Sequence, residues 1–428
     1  NPLAFNGGHN RTHSIGNSSA AVDAAIGSTI GQDQMGLGRL ASTADLGAFE
    51  ADPLVHSLTF DTTDVPQNIV AGAATTLSAT GTTTSGGALT YAWSIRNAAG
   101  TEVATSTDQN FAFTGSVPAM EGAGDFTATV TVTDGSTSQT AIETFDFYMF
   151  EADLTAVTTG SMGTLGTITV NDAGDTVDND VSSVTAINGA ANITLREAIQ
   201  AANNDTNAGS VVIVIGAGVL PVLTETAIDD NATGGDLDIS RTAGAVYIIG
   251  QGAGVTTISG GTSGDRVFEV RPNAHAFFKD LTITGGDTNN ADNHGGGVYV
   301  HGATAVMHGV TLDSNNAINT GNDNSVGGAI FATNSGINSS VLSLTNSTVS
   351  NNQADSHGGG VYVQSFSGRE HKVLFNNVTF DSNTASAEAA NDRDGGGFYL
   401  TGSDADVEMN TVTFQDNSTG DILSLIHI

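Results

Sequence analysis

One short phrase, written four times between residues 295 and 417, constrains the fold of this chain more than any other feature. Each copy has two or three glycines, an apolar residue and an aromatic one, and the copies begin at Gly295, Gly327, Gly358 and Gly395. A second phrase of one apolar residue, two polar residues and an asparagine follows each copy, ending at Asn315, Asn352, Asn383 and Asn417. Because both phrases return every 31 to 37 residues, we predict a solenoid whose repeats bury their apolar faces against one another.

The repeats predict strands and turns rather than helices. Short β-rich runs such as 298–300 and 378–380 are separated by Gly, Asn, Asp and Ser, and no run shows a 3.6-residue apolar period. A unit of about 30 residues fits one coil of a parallel β-helix, with coils about 4.8 Å apart. We therefore predict an all-β chain with a right-handed parallel β-helix in its C-terminal part and roughly seven coils between residues 210 and 420.

The recurring asparagine has two interpretations. In stacked coils the four side chains would form a ladder of amides hydrogen-bonded from one coil to the next. Asparagine also tolerates left-handed backbone conformations, so turn geometry alone explains it as well. The apolar residue three positions earlier recurs in the same register, which favours the ladder.

These paired phrases resemble the repeats of the polymorphic outer-membrane proteins, over about the last third of the chain. That resemblance implies a right-handed parallel β-helix displayed at a bacterial cell surface, often for adhesion. By the same resemblance the chain is expected to be secreted or surface-displayed.

The composition of the chain limits the kinds of partner that it can bind. The chain has 11 basic and 45 acidic residues and a formal net charge of −34, so we expect repulsion from nucleic acid and from anionic lipid. No segment reaches the run of about 18 apolar residues that a membrane helix needs, and we predict no membrane insertion. The absence of cysteine excludes disulfides and thiolate metal sites.

The first 51 residues have too few apolar positions for a core of their own. The segment 44–50 resembles the closing phrase of β-helix proteins, which implies that residues 1–51 are the C-terminal end of a preceding β-helix. Asp33, Arg39, Asp45 and Glu50 are interpreted as a salt-bridged end cap rather than an active site. At the other end, residues 421–428 abandon the repeat and are left without interpretation.

Residues 52–152 are predicted to form a β-sandwich. Six strand-like runs alternate with turns, and the clearest, 126–132, has one apolar and one threonine face. Trp93 in mid-strand and the Gly-Asp-Phe at 124–126 resemble PKD-like, immunoglobulin-like modules of bacterial surface proteins. The resemblance implies a spacer, and Trp93 is interpreted as a core residue rather than as a sugar platform.

Residues 153–428 are assigned to the β-helix, and the one strong helix signal lies near their start. Thr194 and Glu197 have the spacing of a capping box, and the apolar residues that follow line one face to about residue 203. The segment resembles the CSLREA phrase at the start of such β-helices, with Ile193 and Thr194 in place of its cysteine and serine. We predict a lid over the first coil and a structural role for Arg196 and Glu197.

Catalytic carboxylates on stacked coils would share a repeat position. The position after the apolar residue of the second phrase reads Asp313, Ser350, Asp381 and Gln415. The two acids are therefore two coils, or about 9.6 Å, apart, at the edge of the range of glycoside hydrolases. A weaker acidic cluster is formed by Asp236, Asp238, Asp265 and Arg266. We predict no catalytic residue, and keep a polysaccharide lyase or hydrolase as the alternative function.

Metal binding is tested in the same way. His294 and His357 both precede a glycine phrase, but Val326 takes that position between them, so the histidines are too far apart for one zinc ion. The densest acidic stretch holds Asp172, Asp175, Asp178 and Asp180. A solvated loop is the preferred interpretation, and weak calcium binding there is the only cofactor kept open.

The aromatic residue of the glycine phrase is the candidate ligand-binding feature. If the preceding apolar residue points inward, strand alternation turns the aromatic outward, and a stripe forms from Tyr299, Phe331, Tyr362 and Tyr399. Such a stripe can stabilise the sheet or dock a glycan or protein. We predict a structural or adhesive protein that presents a ligand-binding face. A self-associating matrix component is the third hypothesis.

Overall fold

The structure is a computed structural model of the 428-residue chain. It describes residues 58–61, 68–72, 74–83, 86–97, 100–115, 123–150, 154, 166–207, 209–226, 232–288, 294–318, 325–334, 338–367, 370–386, 395–419 and 426–427. The chain divides into two compact units, the first comprising residues 1–66, 74–114 and 125–147 and the second residues 67–73, 115–124 and 148–428. The interpretation of residues 1–51 lies outside the described residues.

Nine strands are described in the chain up to residue 150. They are β1 (Leu58–Asp61), β2 (Asn68–Val70), β3 (Thr75–Ser78), β4 (Thr80–Thr83), β5 (Leu89–Asn97), β6 (Glu102–Ser106), β7 (Asn110–Phe113), β8 (Ala123–Asp134) and β9 (Thr140–Phe150). One sheet has the order β2-β9-β8-β5-β6, and two antiparallel pairs, β1–β4 and β3–β7, stand beside it. The alternation of apolar and threonine residues in β8 puts one side in the core, where Val130 and Val132 have no exposed surface.

Trp93 belongs to the core of the first unit. Its side chain is 2% exposed, and its ring lies 6.2 Å from that of Phe111 and 6.3 Å from that of Phe145. The indole Nε1–H donates to the carbonyl of Asp108 at 2.9 Å, which satisfies the buried donor. A sugar cannot stack on a ring that is enclosed in this way.

After residue 150 the described residues form two helices and 22 strands. They are β10 (Thr167–Val170), α1 (Val184–Ile187), α2 (Leu195–Asn204), β11 (Val211–Ile215), β12 (Leu237–Ile239), β13 (Val246–Ile249), β14 (Thr257–Ser259), β15 (Phe268–Val270), β16 (His275–Lys279), β17 (Thr282–Thr284), β18 (Val298–His301), β19 (Thr304–His308), β20 (Thr311–Asp313), β21 (Asn316–Ala317), β22 (Ile330–Thr333), β23 (Ser340–Ser350), β24 (Gln353–Ala354), β25 (Val361–Ser365), β26 (His371–Asp381), β27 (Thr384–Ala385), β28 (Phe398–Gly402), β29 (Ala405–Gln415), β30 (Ser418–Thr419) and β31 (Ile426–His427).

Successive repeats add strands to three parallel sheets. Sheet A has seven strands in the order β12-β15-β18-β22-β25-β28-β31, and sheet C has four in the order β21-β24-β27-β30. Sheet B has eleven strands in two rows, β10-β11-β13-β16-β19 and β14-β17-β20. Both rows pair with the long strand β23, which is followed by the long strands β26 and β29. Each repeat therefore passes through sheet A and sheet B and then, in the last four repeats, through sheet C. The described part is mostly β with parallel sheets and two helices.

One apolar core runs through all these repeats. The inward residues of the sheet A strands, from Leu237 through Val298 and Val361 to Phe398, have no exposed surface. The same holds for the inward residues of sheet B such as Phe375. Because every repeat is short, no repeat encloses a core alone, and stability depends on its neighbours.

The middle glycine of each phrase lies where the chain passes too close to the next repeat for a side chain. A Cβ on Gly328 would lie 2.2 Å from the carbonyl oxygen of Gly359 and 2.6 Å from that of Gln353. The first glycine of each phrase has a left-handed conformation, with φ between +62° and +69° at Gly295, Gly327, Gly358 and Gly395. Close approach and positive φ together explain why glycine recurs here.

Helix α2 covers the first repeats. Thr194 is its N-cap: its hydroxyl accepts from the backbone N–H of Glu197, and the Glu197 carboxylate accepts from the backbone N–H of Thr194 at 2.9 Å. The Arg196 guanidinium is fully buried and donates to both carboxylate oxygens of Asp175, at 2.7 and 3.1 Å. Arg196 also donates to the carbonyl oxygens of Ala232, Gly234 and Asp236 and so ties α2 to the segment before β12, while Glu197 caps the helix.

Within β23, β26 and β29, one residue between the two rows of sheet B has a left-handed backbone conformation in each strand. Asn346, Asn377 and Thr411 have φ values of 49°, 54° and 55°. They lie at the same position of successive repeats, since Thr345, Asn376 and Asn410 align just before them. The amide of Asn377 donates to Asn346 Oδ1 at 2.8 Å. A β-branched residue such as Thr411 is strained in this conformation.

Thr411→Asn is therefore expected to raise the free energy of unfolding by about 1 kcal/mol, because asparagine tolerates this backbone far better than threonine. Thermal denaturation of the two proteins measures the difference. Thr413→Asn, the same change two positions along the same strand, is the matched control and should be neutral or slightly destabilising. Equal effects of the two substitutions would contradict the strain at Thr411.

Candidate functional site

The four asparagines of the second phrase lie one above another. Asn315 donates through both its backbone N–H and its Nδ2 to Asn352 Oδ1, at 2.9 and 3.0 Å, and Asn352 donates in the same way to Asn383 at 3.1 and 2.9 Å. Asn383 repeats the pattern with Asn417 at 3.0 and 2.8 Å. All four are buried. These side chains hold the backbone together between repeats and offer nothing to a ligand.

The aromatic residues of the glycine phrase form a continuous stack on the outward face of sheet A. Adjacent ring centroids from Tyr299 through Phe331 and Tyr362 to Tyr399 are 5.0, 5.4 and 5.2 Å apart. The residue before each of them has no exposed surface, so the strands alternate inward and outward as expected. We call these four residues the aromatic column.

Much of the aromatic column is covered. Phe331 is 4% exposed and Tyr362 is 8% exposed. The ring planes of the Tyr299–Phe331 and Tyr362–Tyr399 pairs are nearly parallel, with interplanar angles of 16° and 13°. Ring faces are therefore used by neighbouring rings, which leaves edges and hydroxyl groups for a ligand. Desolvation, assisted by the neighbouring Tyr399, raises the pKa of the Tyr362 hydroxyl to about 12.

Two histidine rings also lie against the aromatic column, a contact that was not predicted from the sequence. The His357 ring stacks on Tyr399 with a centroid distance of 4.5 Å and an angle of 10°. His294 lies 5.0 Å from the Phe331 ring, and Val326 belongs to the same buried cluster. Strand pairing places His294 beside Val326, so these pre-glycine residues form a second line along the column.

An acidic cluster lies at the first end of the column, in sheet A. Asp238 aligns with Glu269, and Glu269 aligns with Tyr299. Oxygens of Asp236, Asp238 and Glu269 lie within 4.8 Å of one another, and all three side chains are buried. Asp238 Oδ2 also accepts from the backbone N–H of Ala232 at 2.9 Å.

Arg266 supplies the positive charge of this cluster. Its guanidinium lies 3.3 Å from Asp236, 3.6 Å from Asp265 and 3.3 Å from Glu269. It also lies 5.1 Å from the centre of the Tyr299 ring. Arg271 adds a second contact to Glu269 at 2.9 Å. Three carboxylates therefore contact the buried guanidinium of Arg266, and the partly exposed Arg271 contacts one of them.

The surroundings of Asp236 change the pKa of its carboxyl. Desolvation raises the pKa of its carboxyl well above the usual range, and the neighbouring carboxylates add to this, while Arg266 opposes it without reversing it. A buried acid that is reluctant to ionise beside a fixed arginine resembles catalytic chemistry. Here, however, the groups are 8% exposed or less, so a polysaccharide has no route to them in this conformation.

By ligand type and spacing, the three carboxylates of Asp236, Asp238 and Glu269 could hold a hard cation such as calcium. Arg266 already lies in contact with two of them, and a cation would have to share the space with its guanidinium. The sequence prediction of this cluster omitted Glu269. Its signal was available, since Asp238 and Glu269 take the same position in successive repeats.

The dense acidic stretch, interpreted as a solvated loop with weak calcium binding kept open, has its four aspartates in different surroundings. Asp175 is buried and bound to Arg196, and it also accepts from the backbone N–H groups of Thr224 and Glu225 at 2.6 and 2.8 Å. Asp172 and Asp180 accept from nearby backbone N–H groups, and Asp178 is exposed beside Glu197, whose side chain raises its pKa. Among the described residues these four do not form a metal-binding group.

The carboxylate column of the second phrase has the register that the sequence predicts. Asp313 aligns with Ser350, Ser350 with Asp381, and Asp381 with Gln415. Although partial burial opposes it, hydrogen bonds from Asn351, Ser350 and Ser314 lower the pKa of Asp313. This carboxylate is an acceptor of local hydrogen bonds, which suits a turn better than an acid or base.

Asp236→Asn is expected to flatten the pH dependence of stability. Because the folded state raises the pKa of Asp236, the parent binds a proton more tightly when folded and loses stability as the pH rises above the ordinary carboxyl range. The variant should therefore melt higher than the parent at pH 8, and the difference should shrink towards pH 4.

Asp313→Asn is the control of opposite sign for this measurement. Its lowered pKa means that the charged form stabilises the fold at neutral pH, and that this contribution disappears on acidification. Thermal melts of the parent and both variants from pH 4 to pH 8 check the two signs. A lower melting temperature for Asp236→Asn at pH 8 would contradict the dominance of desolvation.

Comparison of the chain with protein-family models, with curated proteins and with solved structures finds no match. Within the described ranges, no helix has the length and apolar character needed to cross a membrane. The function proposed below is therefore based on the geometry of the sheets, of the aromatic column and of the acidic cluster around Arg266.

Proposed function

We propose that the second unit is a right-handed parallel β-helix and serves as a stiff structural or adhesive segment of a secreted or surface-displayed bacterial protein. The observation that carries this proposal is the repeat-by-repeat strand pairing. Sheets A, B and C each gain one parallel strand per repeat in the C-terminal part, around a single buried core. Such a stack resists bending because every repeat is bonded to the next along its whole length.

The sandwich-like first unit suits an immunoglobulin-like spacer in the same protein. Its antiparallel strands enclose an aromatic core around Trp93, and no described polar cluster in it resembles a reactive site. A rod joined to a spacer is suited to projecting a binding surface away from a cell. The net charge of −34 disfavours nucleic acid and anionic lipid as its targets.

We place the ligand-binding face along the aromatic column. Tyr299 and Tyr399 are its more accessible members, while Phe331 and Tyr362 are buried. Ring edges and phenol hydroxyls combine an apolar body with a polar tip, as in many glycan and protein contacts. The ligand is therefore proposed to be a glycan or a protein that lies across the column rather than between the rings.

The experiment is a screen of the 428-residue chain against immobilised polysaccharides and surface proteins, with release of reducing or unsaturated sugar measured in parallel. Binding without turnover is expected, and Tyr399→Ser should weaken it about tenfold. Phe366→Ser, at an aromatic that is 46% exposed and outside the column, should leave binding unchanged. Sugar release would instead favour the enzyme, and concentration-dependent filaments the matrix component.

A further inference from the structure

Strand β26 begins with a histidine in the interior of the stacked repeats. His371 lies two residues before Val373, whose side chain has no exposed surface, so strand alternation places both side chains on the same, inner face. His371 itself is 0% exposed. The residues that align with it in the strands on either side are small, Ser340 in β23 and Ala405 in β29. A large polar ring therefore occupies a position that the neighbouring repeats fill with a few atoms.

The ring of His371 is enclosed without good hydrogen bonds. Among the described residues, neither Nδ1 nor Nε2 has a hydrogen-bond partner of normal geometry. The backbone of Gln364 in β25 interacts with the ring, so His371 lies at the corner where sheet A passes into sheet B. The next residue, Ser365, is 3% exposed and its hydroxyl has no described partner either. A neutral imidazole is tolerated in such a corner, but an imidazolium would bury a charge and two unpaired donors.

No charged side chain acts on the ring within the described part of the chain. Lys372, the next residue, points to the opposite face of the strand and bonds to Asp406 of β29 at 2.6 Å. The carbonyl of Asp404 accepts from the backbone N–H of His371 at 3.0 Å, and that of Glu370 accepts from β23 at 3.1 Å. The other polar residues at this corner, from β23 and β25, are uncharged: Ser340, Gln364 and Ser365. An imidazolium would therefore have no counter-ion here.

Proton binding by His371 is linked to the opening of this corner. Desolvation lowers its pKa from the ordinary value of 6.5 to about 4, and the backbone of Gln364 opposes that shift. In the unfolded chain the imidazole binds a proton as the pH falls through its ordinary pKa, whereas the folded corner resists protonation until a lower pH. The stability that depends on the neutral ring is therefore fully present above pH 6.5 and is lost as the pH falls towards 4.

We propose that His371 makes the repeat that contains β25 and β26 an acid-sensitive element, closed at neutral pH and opened by acidification. Protonation brings water to the corner and separates sheet A from sheet B in this repeat, because the charged ring is solvated only when the corner opens. Described strands pack on both sides of His371, so its burial does not depend on any further repeat. The proposal does not involve the aromatic column, and either one can fail without the other.

Hydrogen exchange of the 428-residue chain at pH 7.5 and at pH 5 is the test. The exchange rates of amides in β25 and β26 are divided by the intrinsic rate at each pH, which gives the opening equilibrium of the two strands. Two variants remove the titrating group: His371→Gln keeps a polar side chain that cannot ionise, and His371→Ala adopts the residue at the aligned position 405. His301→Gln, at a half-buried imidazole in β18, is the matched control.

In the parent, the opening equilibrium of β25 and β26 is expected to rise about 30-fold from pH 7.5 to pH 5, because a pKa lowered from 6.5 to about 4 displaces proton binding by that factor. The two His371 variants should change by less than about threefold. His301→Gln should keep the response of the parent, since His371 is still present. The pKa of His275 is also lowered to about 4, but this residue is common to all four proteins and cancels in the comparison.

An acid response of β25 and β26 that persists in the His371→Gln chain would overturn the proposal, because another group would then drive the opening. An imidazole of His371 that titrates near pH 6.5 in the folded parent would also overturn it. Nuclear magnetic resonance measures that titration, and the signal missing from the His371→Gln spectrum identifies the residue. Melting temperatures at pH 7.5 show whether the variants are folded. If His371→Gln does not fold, His371→Ala and the titration of the parent decide the question.

Discussion

Arg196→Met is expected to destabilise the second unit by about 3–5 kcal/mol, because it leaves the buried carboxylate of Asp175 without its counter-ion. The guanidinium also donates to the carbonyl oxygens of Ala232, Gly234 and Asp236 at 2.9 to 3.1 Å, so the loop before β12 loses its attachment to helix α2. Chemical denaturation followed by far-UV circular dichroism measures the loss. Methionine keeps the apolar stem, so the change reports the charged group.

Arg96→Met is the matched control. Arg96 also pairs with an acid, Glu102 at 3.2 Å, but both side chains are about half exposed, at 51% and 44%. We expect an effect of at most about 1 kcal/mol there. If Arg196→Met were as mild as Arg96→Met, the lid would not depend on its buried ion pair, and helix α2 would have to be held by its apolar face alone.

The second large effect is expected in the amide ladder. Asn352→Ala removes the acceptor used by Asn315 and the donors used by Asn383 and by the carbonyl of Leu312. Because these groups are buried and remain polar, the cost is about 2–4 kcal/mol, from unsatisfied hydrogen bonds and a small cavity. The free energy of unfolding, taken from denaturant titration, checks this value.

Asn417→Ala tests the same substitution at the last described rung of the ladder. Among the described residues Asn417 has an asparagine neighbour on one side, accepting from Asn383, and it donates to the carbonyl of Phe380. About half the effect of Asn352→Ala is expected there, because fewer buried groups lose their partners. Equal and small effects at both positions would mean that turn geometry, rather than the ladder, accounts for the recurring asparagine.

Local patterns were sufficient to predict much of the strand content. The six strand-like runs predicted before residue 150, at 57–60, 75–79, 89–95, 110–114, 125–133 and 140–148, coincide with described strands within a few residues, and the long strand β8 lies where the alternation is clearest. The three strands that were not predicted, β2, β4 and β6, are short or lack alternation, with sequences such as Thr80–Thr83. They are strands because a neighbour pairs with them, and a local pattern cannot report that.

The candidate clusters were only partly predictable. The register of the aromatic residues follows from their repeat position, and so does that of His294, Val326 and His357, but the packing of the histidine rings against the column does not follow from it. In the same way, Asp175 looked like one of four similar acids. The structure singles it out, because Arg196 and two backbone N–H groups converge on it.

The sequence by itself determined the period, the strand type and the residues that share a position in each repeat, because glycine, asparagine and apolar residues recur wherever the backbone requirement recurs. Tertiary structure alone decided which polar groups are buried and which ring faces are already occupied. Those properties depend on how far neighbouring repeats approach one another. Exposure, desolvation and charge pairing are set by that approach, which no single repeat contains.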